Sequence, residues 1–224
     1  MENTLNSFYS KVYALLAIGL ITVAVTTTIT IANYIDKIPL ILAQLGKHPF
    51  IFSIVFLAII TVMSGFTVYL ANKKNPLAFA GYGLVSIIFG LYLSLIVPFF
   101  SMQDVMTALL STVAVLVAMS AVGRFSKYDF SKLGRFCFNA LIALIVVSLI
   151  GVFLHSSLFN IIISLVSALL FSILIAVDSK EIENIYNKAP KNADYYAAIG
   201  SVLQLELDAI NLFINLLNLL GSDD

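Results

Sequence analysis

Seven apolar stretches, each long enough to cross a bilayer as a helix, leave this 224-residue chain few folds to choose from. A hydrocarbon core takes ~20 helical residues, and the runs lie at about 12–34, 50–71, 77–98, 104–122, 137–155, 158–178 and 195–220. In lipid every backbone N–H and C=O needs an internal partner, which only helices or a closed barrel supply. Short alternating strands of the barrel type are absent. The pattern therefore predicts an all-α integral membrane protein, a seven-transmembrane-helix bundle in one transmembrane domain, 1–224, in contact with the lipid bilayer. Composition agrees: 61% of residues are hydrophobic and 11% charged, outside the range of soluble domains. The first run is too long for the apolar core of a signal peptide and no small-residue cleavage site follows it, so it is expected to remain as a helix.

Charge divides the loops. Lys11, Lys73, Lys74, Arg124, Lys127, Lys132, Arg135, Lys180, Lys188 and Lys191 fall on one side, ten of the twelve basic residues. The other two, Lys37 and Lys47, follow the first helix. The positive-inside rule places the amino terminus in the cytoplasm and the Gly221-Ser222-Asp223-Asp224 end outside a cell (plasma or inner) membrane. Net charge is zero, and no long basic run suggests nucleic-acid binding. Cys137 is the single cysteine, so neither an internal disulfide nor a cysteine-built metal site is expected. The longest connection, about 179–194, begins with Ser179-Lys180-Glu181-Ile182-Glu183-Asn184, which can carry the sixth helix past the membrane before Pro190 forces a turn. In the loop of about 35–49, the run from Pro39 to Leu45 is short for a span and reads as an interfacial or re-entrant piece. There is no convincing internal repeat of the transporter type.

Asp178 and Asp208 are the residues that demand a reason. An aspartate at the bilayer centre costs roughly 2.5 to 3.5 kcal/mol on insertion scales, so it normally faces protein, a partner or a wet cavity. On the last helix Ser201, Gln204, Asp208, Asn211, Asn215 and Asn218 recur at steps of three or four, which stacks them on one face. Such a stripe is expected to be kept from lipid, which makes this helix a central one that either packs through its amides or lines a polar path. Glu206 lies on the opposite face, with no role assigned. Ser164 and Ser167 share a face with Asp178 on the sixth helix. Two carboxyls brought together in a low-dielectric site share a proton and form a natural proton sensor. Ionised, they offer hard oxygen ligands to Ca²⁺, but two fall short of the six to eight oxygens of a tight site, so passing coordination is expected rather than storage. Axial position is the difficulty. Asp208 lies near the middle of its helix and Asp178 near the cytoplasmic end of its own, so they meet only if the seventh helix begins beyond the membrane or the sixth runs deeper than hydropathy suggests.

Other candidates are weaker. Thr22, Thr26, Thr30 and Asn33 form a polar line on the first helix, read as helix packing. His48 and His155 sit at helix ends. No HExxH or cysteine-rich ligand spacing points to zinc, and no cofactor is expected. Ser64-Gly65 with His155 lacks the context of an intramembrane serine protease, and the last helix has no lysine for a retinal Schiff base. The two aspartates invite comparison with presenilin-type proteases, but the Gly-x-Gly-Asp and Pro-Ala-Leu motifs are missing, so no enzyme is expected.

The run Leu207-Asp208-Ala209-Ile210-Asn211-Leu212-Phe213-Ile214-Asn215-Leu216-Leu217 resembles the final-helix signature of the transmembrane Bax inhibitor motif family. Ala176-Val177-Asp178-Ser179-Lys180-Glu181-Ile182 resembles the surroundings of that family's other aspartate. The resemblance implies six helices around a central C-terminal seventh, with the two aspartates paired as a pH-sensitive element. It also implies Ca²⁺ leak across the membrane, and for bacterial members a link to a membrane protease. Some members carry an arginine at the end of the second helix that latches onto the aspartates. Here the aligned position is Asn72, and Lys73 offers at best a point charge in its place. The expected function is a pH-sensitive Ca²⁺ leak channel, with Ca²⁺ and protons as its ligands, Asp178 and Asp208 as sensor and transient metal contact, and Asn211 and Asn215 along the path. The alternative is a non-conducting membrane adaptor that modulates a membrane protease or a stress response.

Overall fold

The computed structural model describes residues 4–154, 156–188, 191 and 193–221. His155, Pro190 and the terminal Ser222-Asp223-Asp224 lie outside them. Every regular element among the described residues is helical, and seven helices are long and apolar enough to span a membrane. They are α1 (Leu5–Tyr34), α3 (Pro49–Asn72), α4 (Leu77–Ser94), α5 (Met102–Phe125), α6 (Ser131–Leu154), α7 (Ser157–Lys188) and α8 (Tyr195–Leu220); the short α2 (Ile38–Leu45) follows α1 after a 3-10 turn at Ile35–Lys37. The piece expected near Pro39–Leu45 is thus a helix. Pro39 sits in its first turn, where a missing N–H costs nothing.

Helix ends depart from the hydropathy runs because apolarity marks the lipid-crossing part of a helix, not the extent of its hydrogen bonds. α1 begins at Leu5 rather than about residue 12, behind an N-cap in which Thr4 Oγ1 accepts the Ser7 N–H at 3.2 Å. The larger difference is α7, which continues to Lys188. Its polar overhang is laced along one side: Lys180 pairs with Glu183, Asn184 Nδ2 donates to Glu181 at 2.7 Å, and Lys188 approaches Glu181 at 3.5 Å. Asp178 therefore lies ten residues before the end of its helix, not at it.

The chain groups into two compact units, one of residues 1–99 with 189–203, the other of residues 100–188 with 204–224. In the first, α4 packs against both α1 and α3. At the α1–α4 contact Thr27 Oγ1 donates to the carbonyl oxygens of Val23 at 2.9 Å and Gly90 at 3.0 Å, and Tyr82 donates its hydroxyl to the Leu15 carbonyl at 3.1 Å. Thr26, on the polar line expected to pack, lies against Gly90 of α4, where an added Cβ would overlap it, and its neighbour Thr27 makes the hydrogen bond. Phe56 stacks on Tyr92 with ring centroids 4.3 Å apart, joining α3 to α4.

In the second unit α7 packs against α5 and α6. The inward line of α5 is small or polar apart from Leu116, with Ala108, Thr112, Ser120 and Gly123 also buried, while Leu110 and Val117 on its other side are 65% and 64% exposed. Small residues inside and large aliphatics toward lipid are what close helix packing in a bilayer requires. At Gly123 a Cβ would overlap the Ala176 carbonyl oxygen, and one turn away the buried Ser120 and Ser179 hydroxyls hydrogen-bond at 3.2 Å. α8 is the most enclosed span: 61% of its membrane-length window is buried, against 6–39% for the other six.

Gly123→Ala is expected to lower the unfolding temperature in detergent, the overlap costing about 1–3 kcal/mol. Gly83, where a Cβ would meet nothing within 4 Å, supplies the contrast: Gly83→Ala should be neutral or stabilising by up to about 1 kcal/mol. Equal effects would show that the α5–α7 contact is not as close as described.

Candidate functional site

Most polar side chains of these spans solve their hydrogen bonding inside their own helix. Thr22, Thr28, Thr107, Ser167 and Ser172 each donate to the carbonyl oxygen four residues back, at 2.7–2.9 Å. A carboxylate cannot do this. It has no donor, and the helix N–H groups within reach are already spent. Where its own helix offers no Lys or Asn side chain one turn away, as α7 does for Glu181 and Glu183, it must find a partner on another element.

Asp178 on α7 and Asp208 on α8 find each other. Asp208 is buried, with 5% of its surface exposed, and Asp178 is half-buried. Their carboxyl groups lie within hydrogen-bonding reach. Two carboxyls can hydrogen-bond only when one carries a proton to donate. Apart from Asp178, no described group hydrogen-bonds the buried Oδ2 of Asp208. Contact follows from the continuity of α7, which carries Asp178 inside a helix instead of leaving it at a frayed end. One turn beyond Asp178, Glu181 adds a like charge, itself held by Asn184 and Lys188. Cys137 on α6 is fully buried within electrostatic range of both aspartates. Nothing in the sequence pattern marked it, since a lone cysteine in an apolar helix carries no spacing.

The polar stripe of α8 is not uniformly enclosed. Ser201 and Asp208 are buried, Asn211 and Asn215 are half-buried, and Gln204 and Asn218 are exposed. Asn211 Nδ2 donates to the Leu207 carbonyl at 2.8 Å and Asn215 Nδ2 to the Asn211 carbonyl at 2.7 Å. These amides are tied back along their own helix, with no hydrogen bond to a neighbouring helix among the described residues. Glu206, two residues before Asp208 and on the opposite face, is fully buried. Its face assignment was legible in the sequence; its burial was not. Among the described residues no three His, Cys, Asp or Glu side chains converge as a metal site.

Neither Asn72 nor Lys73, the residues expected as a possible latch on the aspartate pair, makes an ion pair among the described residues. Both are exposed, and Lys73 Nζ lies over the Tyr69 ring at 5.9 Å. Lys74 makes one, 2.9 Å from Asp194. The end of α3 explains the difference. Lys74 is in the left-handed region at φ 53°, with its N–H donated to Ala71 at 2.8 Å and that of Asn75 to Leu70 at 3.0 Å, a Schellman closure. Asp194 in turn caps α8 by accepting the Ala197 N–H at 3.0 Å, and Lys11 donates to the adjoining Ala193 carbonyl at 2.9 Å. Partial burial alone would raise the Asp194 carboxyl, but Lys74 and the capping N–H groups outweigh it and hold it below the ordinary carboxylate value.

A family model described as inhibitor of apoptosis-promoting Bax1 matches residues 5–224. The chain is 34% identical, over 98% of its own length and 94% of the relative's, to an uncharacterized membrane protein of Streptococcus pyogenes serotype M6. It is 30% identical to an uncharacterized protein of Deinococcus radiodurans, covering 97% of this chain and 91% of that one. A Golgi anti-apoptotic protein of vaccinia virus is 31% identical, over 96% of this chain and 84% of the relative. With seven membrane-length helices, these relatives make the chain a multi-pass membrane protein.

Because the Asp194 carboxyl is lowered in the folded state, the stability it contributes is present above the unfolded value and lost as pH falls through the folded one. Asp194→Ala should therefore destabilise by about 1–2 kcal/mol at neutral pH, most of it the lost cap, since the partly exposed ion pair is screened by water. Thermal unfolding in detergent should show this deficit shrinking below about pH 4. A deficit that does not change with pH would show that the ionised carboxylate is not what holds the start of α8.

Proposed function

The chain belongs to the Bax inhibitor family, and on that premise we propose that it is a proton-modulated Ca²⁺ leak channel whose sensor is the Asp178–Asp208 pair. The observation that supports this reading is carboxyl–carboxyl contact between two membrane helices, one of the two groups almost wholly buried. With a shared proton the pair is a hydrogen bond that ties α7 to α8. Without it, two like charges repel across the same gap in a medium that screens them poorly. Proton loss thus converts a tie into a wedge and bares oxygens attractive to Ca²⁺. The side-chain oxygens of Asn211 and Asn215, further along α8, extend a line of hard acceptors along the accessible side of that helix. Coordination is transient and Ca²⁺ is the cargo, with no resident cofactor and no catalysed reaction. In the membrane the amino terminus is cytoplasmic and the carboxyl terminus outside, as the basic loops dictate.

The vaccinia relative's description as an anti-apoptotic protein names an outcome, not a flux. It favours a second reading, an adaptor that acts through another membrane protein and conducts nothing itself. Purified protein in liposomes separates the two, since only a channel leaks alone.

In such liposomes Ca²⁺ flux should fall at acidic pH and rise toward pH 8. Asp208→Asn keeps the size of the side chain and removes its titration, so it should flatten that dependence. Asp178→Asn should do the same, and the double variant should be little worse than either, because groups that act as a unit are not additive. Glu206→Gln, on the opposite face of α8, should alter flux much less. A wild-type flux indifferent to pH between about 5 and 8, or a double variant with its pH response intact, would end the sensor role. Cysteine accessibility should place the loop around Tyr128 on the cytoplasmic side; labelling of that loop from outside intact cells would reverse the orientation.

A further inference from the structure

At least four basic side chains on the side predicted to be cytoplasmic are answered by an ion pair or a hydrogen bond. Lys74 pairs with Asp194, Lys180 with Glu183 and Lys188 with Glu181, and Lys11 donates to a backbone carbonyl. The connection between α5 and α6 differs. Lys127, Lys132 and Arg135 are exposed, and no ion pair or hydrogen bond among the described residues involves their side chains. The lone acid of the connection, Asp129, is engaged by Ser131, its Oδ1 accepting the backbone N–H at 2.9 Å and the hydroxyl at 2.6 Å. Those bonds, with Arg135 and Lys132 at longer range, hold its carboxyl below the ordinary value, so it stays ionised and still leaves the cations in excess.

Aromatic side chains flank these cations at the span ends. Phe125, the last residue of α5, is 74% exposed, Tyr128 61% and Phe136 66%. Exposed aromatics at the end of a membrane helix sit at the headgroup level. The connection is also held in shape: Lys180 Nζ of α7 donates to the Ser126 carbonyl at 2.9 Å, and the Tyr128 N–H donates to Ser126 Oγ at 3.0 Å. A fixed loop carrying unanswered cations at the water boundary, with aromatics beside them, has the chemistry of a site for an anionic phosphate at membrane depth.

We propose that the α5–α6 connection binds the headgroup of an anionic phospholipid, with Lys127, Lys132 and Arg135 taking its phosphate. Each cation near an anionic surface strengthens association by roughly fivefold, so removing three should abolish a measurable preference. The proposal does not depend on ion flux, and its test does not use flux.

The chain has no tryptophan, so Tyr128→Trp gives a single reporter in the full-length protein in vesicles. Brominated phosphatidylglycerol, at equal mole fraction in a phosphatidylcholine bilayer, should quench this tryptophan roughly twofold or more above brominated phosphatidylcholine. The preference should vanish in Lys127→Gln/Lys132→Gln/Arg135→Gln and persist in Lys127→Arg/Lys132→Arg/Arg135→Lys, which keeps the charge. Equal quenching by the two lipids in the reporter protein would overturn the proposal, as would a preference that survives neutralisation. Loss of the preference on adding millimolar inorganic phosphate would overturn it too, by showing a site for a soluble anion.

Discussion

A side-chain carboxyl in the apolar stretch of a membrane helix cannot be satisfied by its own backbone, and much else in this protein can be understood from that asymmetry. Hydroxyls and amides carry a donor and fold it onto a carbonyl one turn back, as Thr22, Ser167, Asn211 and Asn215 do. An aspartate has no such donor, and leaving it alone in hydrocarbon costs roughly 2.5–3.5 kcal/mol or more. Asp178 and Asp208 meet instead, and their meeting sets requirements on the helices that carry them. α7 must run unbroken past Asp178 and α8 must be the best enclosed of the spans, and both conditions hold.

Enclosure of α8 begins before its first turn. Asp194 serves two purposes with two oxygens, one accepting the Ala197 N–H and the other facing Lys74. Lys11 of α1 reaches the neighbouring carbonyl and lies over the Tyr195 ring at 5.8 Å, while Tyr196 packs against Phe79 of α4 at 5.0 Å between ring centroids. Three elements thus converge on four residues.

The seven spans were legible because lipid imposes one simple rule on composition over ~20 residues. The importance of Asp178 and Asp208 was legible because charge in such a run is expensive. Their contact was not, since it depends on how far α7 continues after hydropathy falls, and that is decided by pairings such as Lys180 with Glu183 in its polar overhang. The choice of Lys74 over Lys73 turned on one left-handed backbone angle, which a run of Asn72-Lys73-Lys74-Asn75 with no glycine does not announce. The polar line through Thr26 was legible as packing, and Thr26 does meet Gly90; the hydrogen bond of its neighbour Thr27 was not. Cys137 and Glu206 gained their places through tertiary burial alone.

The contact between the two aspartates is the central claim, and infrared spectroscopy of the carboxyl C=O stretch tests it without assuming any flux. The band of protonated Asp208 is identified by its loss in Asp208→Asn. If the two groups hydrogen-bond, that band must change both its frequency and its dependence on pH when Asp178 becomes Asn, because the proton then has one fewer oxygen to share. An Asp208 band that is the same with and without the Asp178 carboxyl would contradict the account.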